Sequence, residues 1–186
     1  MFDRFLSAHP QYQVAARPEL SIVQSYECRL PADILEFWKA FGFGNFMNGY
    51  LKMVDPSLFQ DFMRSSYNVF MEPATVFAAT AFADLLIWEG DCVKQINYRT
   101  GKSRVASGNF SVFMNLRISK WVNVDQSMQG GQFLAAVERL GEPAFDECFA
   151  YVPALALGGS EKVENIQKVK LREHLSILSQ IVGVIE

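Results

Sequence analysis

Histidine is scarce in this chain of 186 residues, which holds only His9 and His174. Acid–base catalysis uses imidazole most often, so the scarcity leaves mainly carboxylates for that work. His9, beside Pro10, reads as a surface residue. His174 stands one position off an apolar stripe, so each reads as a boundary histidine, solvated or bonded to a neighbour. Two histidines so distant in sequence make no metal signature. Cys28, Cys92 and Cys148 are also few and far apart. Without the spacing of a metal knuckle or a redox dithiol, they read as three buried free thiols in a reducing compartment.

Phosphate loops and nucleophile elbows are missing too. Gly42-Phe43-Gly44 and Gly158-Gly159-Ser160 read as turns where the chain needs positive φ. The expectation is a protein with no cofactor, no metal and no catalytic residue.

Charge of one sign is nowhere concentrated: no run of five like charges occurs, and the formal net charge is −3. A general nucleic-acid binder needs a basic surface to displace counterions from phosphates, so that class is excluded. Long apolar runs are lacking as well. The most apolar stretch, Ala74 to Trp88, contains Thr75, Thr80 and Asp84 and is too short to span a bilayer. Met1-Phe2-Asp3-Arg4 opens an amphipathic stretch and not a signal peptide. A soluble cytoplasmic protein, with neither nucleic acid nor membrane as partner, is expected.

What the chain has is core. Half of it is apolar and a fifth charged, with 16 Phe and 3 Trp, which rules out bulk disorder. Phe2, Phe5 and Leu6 predict a short opening helix, and the chain from there to Leu30 shows no regular pattern. Pro31 and Asp33 then mark a helix start, Ile34, Leu35, Trp38 and Phe41 recur at helical spacing, and Gly42 stops it. Phe43-Gly44-Asn45 continues as a loop, and Gly49 to Val54 reads as a strand. Asp55-Pro56-Ser57 starts a further helix, with Leu58, Phe59, Phe62 and Met63 as its buried stripe.

From Val69 to Ser107 the texture turns to β. Val69–Met71, Thr75–Ala79, Leu85–Trp88, Val93–Tyr98 and Arg104–Ala106 are short and separated by turn residues, so an antiparallel meander is expected. Helical spacing returns with Phe110, Phe113, Met114, Ile118 and Trp121, and again with Phe133, Leu134, Val137 and Leu140 before Gly141. Phe149–Val152 and Val163–Val169 add strands, and Leu171, Leu175, Leu178 and Val182 line a last helix. The fold class is α+β, a meander flanked by helices in one globule of one or two lobes. A boundary near Ser107 divides it into residues 1–107 and a mostly helical 108–186.

Paired acids can do hydrolytic work, and two groups qualify. Glu89 and Asp91 flank Gly90 at a hairpin tip after Trp88, while Glu142, Asp146 and Glu147 cluster before the strand at Phe149. Surface acids are ordinarily solvated. Beyond that, an indole beside acids suits a basic partner, with the aromatic as anchor and the acids steering. The alternative is a ligand-binding protein or enzyme, with an acidic cleft between the meander and the C-terminal helices.

Two stretches also carry a family likeness. Leu30-Pro31-Ala32-Asp33-Ile34-Leu35-Glu36-Phe37-Trp38, then Gly42-Phe43-Gly44 and the strand from Gly49, resembles the opening of the bacterial GAD-like domain. Phe149-Ala150-Tyr151-Val152-Pro153 through Gly158-Gly159, with Val163-Glu164-Asn165 and the Glu173-His174-Leu175 helix, resembles the domain that accompanies it in immunity proteins against type VI secretion DNase effectors. The likeness spans about residues 5 to 182. It implies a protein that binds a cognate toxin, basic near its active site, and blocks it without catalysis. It assigns no toxin-contacting residue, and the Tyr151 to Gly159 signature reads as structural.

Overall fold

The computed structural model describes residues 2–120, 124 and 128–186, so Trp121 lies outside the described residues. The chain begins with α1 (Asp3–Ala8), β1 (Tyr12–Ala16), α2 (Leu20–Ser25), α3 (Ala32–Phe41), β2 (Phe43–Phe46) and β3 (Leu51–Met53). A 3-10 turn (Pro56–Phe59) leads into α4 (Gln60–Ser66). The strands β4 (Thr75–Thr80), β5 (Leu85–Glu89), β6 (Cys92–Asn97) and β7 (Lys102–Ser107) follow. Then come α5 (Phe110–Val112), α6 (Gly130–Leu140), β8 (Glu147–Tyr151), β9 (Ile166–Lys170) and α7 (Leu171–Val182).

Most of these elements form where local chemistry dictates. Gly42 at φ 76° and Gly141 at φ 75° end α3 and α6, conformations that cost glycine little. The Asp55 carboxylate accepts the Ser57 amide at 2.8 Å, and Asn109 Oδ1 accepts the Val112 amide at 2.9 Å, so both polar residues cap as such residues do. The helix expected from Phe110 is instead three residues of α5 followed by one widened π turn, Phe113–Arg117.

β1 to β7 form one sheet in sequence order, each strand antiparallel to the next. On its N-terminal side the sheet adds three strands, β1, β2 and β3, to the expected meander. Phe43-Gly44-Asn45 is part of β2 and not a loop, and the patternless segment before Leu30 contains the edge strand β1. Gly44 permits the pairing, because a Cβ there would stand 2.0 Å from the Gln13 carbonyl oxygen. Val69–Met71 is not a strand: the chain bends there.

Layers cover both faces of the sheet. On one face Phe77, Leu86 and Val93 pack with Phe5, Phe37, Trp38, Phe110, Phe133 and Phe149. On the other, Val76, Leu85, Ile87, Ile96 and Tyr98 meet Phe59, Met63, Leu171, Leu175 and Leu178. Burial on both faces explains the near-continuous apolar run from Ala74 to Trp88, since alternation marks strands with one wet face. At about 1.5–3 kcal/mol for each fully buried large apolar side chain, these two cores are the main stabilising term. Both draw residues from either side of Ser107.

Candidate partner-binding surface

The β5–β6 hairpin closes through Gly90 and Asp91, both at positive φ (58° and 55°), with Glu89 paired to Cys92. This two-residue turn, with left-handed backbone at both positions, matches the twist of the strands it joins. Asp91 is exposed and Trp88 half-buried. Together they line a groove of about 290 Å³ with the Glu27–Pro31 segment and with Met71, Glu72 and Pro73. Three of its lining residues are exposed acids, Glu27, Glu72 and Asp91, against one arginine, Arg29.

Glu89 faces inward and is fully buried, so it is not the solvated tip acid that the hairpin position implies. Its Oε1 accepts the Phe70 amide at 2.6 Å and the Met71 amide at 2.8 Å. Its Oε2 accepts the Tyr67 hydroxyl at 2.7 Å and Lys94 Nζ at 2.6 Å. Burial works against its charge, but donation from Lys94, the Met71 amide and Tyr67 outweighs it and holds the carboxyl below its ordinary pKa. The strand period puts Glu89 on the face opposite Trp88. That signal was available, but three of its four donors, Tyr67 and the Phe70 and Met71 amides, come from distant residues and were not.

The second acidic group does not converge. Glu142 borders a small cleft with Gln13, Asn45 and Asn48. Asp146 is exposed and paired with Lys170 at 2.5 Å. Glu147 caps its own turn by accepting the Ala144 amide at 3.0 Å. The groove beside Asp146, about 330 Å³, has a largely apolar floor from Val54, Phe59, Phe145 and Leu171. Among the described residues, Asp91, Glu142 and Asp146 line three different grooves.

Sequence inspection missed Lys52. It lies in the short strand β3, fully buried, and Nζ donates to Ala144 O at 2.7 Å and Asn45 Oδ1 at 3.1 Å. Burial lowers its pKa to about 8. Nothing local marks a lysine between Leu51 and Met53 as internal.

Both histidines sit deeper than expected. His9 is half-buried, with Nε2 3.0 Å from Ser119 O, and His174 is buried on α7. Of the three thiols only Cys148 is buried. Cys28 is exposed and Cys92 intermediate, because they stand in the turn after α2 and at the hairpin tip while their apolar neighbours Tyr26, Leu30 and Val93 turn inward. Among the described residues no three His, Cys, Asp or Glu side chains gather as a metal ion requires. The Tyr151 to Gly159 segment is a close-packed turn, in which a Cβ on Gly159 would lie 1.9 Å from Pro153 O.

Residues 1–100 match the model of the GAD-like domain, more than half of the chain. The chain belongs to the GAD-like family. Residues 107–182 of this GAD-like protein match a second model, described as the C-terminal part of the T6SS immunity protein Tdi1. Among solved structures, the crystal structure of Atu4351 from Agrobacterium tumefaciens is similar, with a TM-score of 0.77 at 17% identity. The alignment covers 97% of the GAD-like chain and 89% of the other; at that identity the likeness is one of fold. Among curated proteins, none matches it.

Proposed function

We propose that this GAD-like protein is an immunity protein that binds a toxin delivered by type VI secretion and blocks it, acting by occupancy and not by turnover. The observation that carries the reading is the match of residues 107–182 to the immunity protein Tdi1. The toxin is a nuclease acting in the cytoplasm, where the two proteins meet. Such an enzyme holds a polyanion and is basic around its active site. The surface acids suit that partner: Asp91 beside Trp88 at the hairpin groove, with Glu142 and Glu147 adding to the approach field and Asp146, offset by Lys170, offering a polar contact. Glu89 contributes from beneath the surface.

Co-expression with the toxin encoded beside it provides the test. Cells carrying both proteins grow, and the purified pair forms a tight one-to-one complex whose association slows as salt rises. Failure to rescue toxin-expressing cells, together with no complex in solution, overturns the proposal.

A further inference from the structure

The Phe70–Met71 turn, read from sequence as strand, exposes two large apolar side chains side by side, Phe70 at 82% and Met71 at 51%. Single exposed apolar residues are ordinary on any protein surface. This pair is unusual in how firmly its backbone is held. One oxygen of a fully buried carboxylate, Glu89 Oε1, accepts both amides, at 2.6 and 2.8 Å. Lys94, which pairs with the other oxygen, also lies over the Phe70 ring, 5.4 Å from its centroid. Met71 rests on the hairpin tip, where a Cβ on Gly90 would come within 2.9 Å of Sδ. A largely buried ion pair thus pins the backbone that carries an exposed aromatic, which lowers the ordering cost of a later contact.

We infer that Phe70, backed by Met71, is the apolar anchor of the toxin contact, entering a pocket on the toxin whose rim carries basic side chains facing Glu72 and Asp91. This rests on the toxin-binding reading above and gives it a location. The choice of occupant follows from charge. Glu27, Glu72 and Asp91 surround the groove beneath the anchor against Arg29 alone, and Lys94 is committed to Glu89. A second copy of this chain would bring the same acids against one another, and an anionic lipid surface would repel them as well. A basic protein surface with an apolar hollow satisfies both halves of the patch.

The test measures binding of an inactivated form of the neighbouring toxin to the full-length protein, with thermal melting run alongside. Phe70→Ala is expected to weaken the complex at least about tenfold and to leave melting unchanged, whereas Leu157→Ala, at an exposed apolar position elsewhere, leaves affinity as it was. Glu72→Lys slows association. Glu89→Gln is expected to speed amide exchange at Phe70 and Met71 and to weaken binding with Phe70 still present. If the wild type binds and Phe70→Ala binds equally well, the anchor is overturned while the immunity reading stands. If the wild type does not bind the toxin at all, both fall.

Discussion

Arg99 grips Asp84 with two prongs inside the protein, Nη2 lying 2.9 Å from Oδ2 and Nε 3.3 Å from Oδ1. Neither side chain reaches solvent to any extent. Gln95 Nε2 donates to the same carboxylate at 2.8 Å, and Arg104 Nε donates to Gln95 Oε1 at 2.8 Å. The guanidinium also lies 5.6 Å from the Phe82 ring centroid. The pair joins the β4–β5 turn to the chain just after β6. Arg99→Met leaves Asp84 buried without its cation and is expected to lower stability by about 3–5 kcal/mol. Urea unfolding of the two proteins measures it; a loss under about 1 kcal/mol would show that solvent reaches Asp84 in the variant.

Acid sensitivity should centre on His174. Burial, with Arg99 nearby as a secondary cause, lowers its pKa from 6.5 to about 4. The unfolded chain therefore binds more protons than the native one between these values, and stability rises with pH across that window. The contribution is complete above pH 6.5 and is lost as pH falls toward 4, for about 3 kcal/mol in total. His174→Gln removes the titration, so its stability should change less between pH 7 and pH 4.5 than that of the wild type. Parallel curves for the two proteins would exclude His174 as the source.

Gly44→Ala tests the edge of the sheet. The added methyl would meet the Gln13 carbonyl oxygen at 2.0 Å, and that atom is backbone, so β1 must move. A destabilisation of about 2 kcal/mol or more is expected, with amide exchange rising first in Tyr12–Ala16. Unchanged protection in β1 would mean that the strand holds β2 without this close approach.

Thiol chemistry should separate the three cysteines. Titration with DTNB at pH 8 is expected to modify Cys28 rapidly and Cys92 slowly. Cys92 is partly covered, its pKa is raised by burial, and its Sγ donates to Glu89 O at 3.1 Å. Cys148, whose thiol burial pushes up to about 12, should react only on unfolding. Rapid reaction of all three in the native protein would contradict the packing around β8.

Much of the fold was legible because its signals are local. Gly42 and Gly141 end helices through their own backbone freedom, Asp55 caps the residues beside it, and the β4 to β7 strands alternate with turn residues. The edge strand β1 was not legible: all five of its residues are exposed, so no apolar period marks it. Val69–Met71 carried the residue types of a strand, yet the Phe70 and Met71 amides are satisfied by a carboxylate 19 and 18 residues away.

The binding surface divides the same way. Composition and the short-range pattern were enough to settle the α+β class, the hairpin at Gly90-Asp91 and the half-exposed indole beside it, since each depends on neighbours within a turn or a strand period. Tertiary structure alone decided that Glu89 turns inward while Asp91 turns out, that Lys52 is internal, and that Phe70 stands exposed on a turn whose amides Glu89 holds. A charged side chain can be buried only where distant parts of the chain bring it partners, and no local pattern announces which partners will arrive.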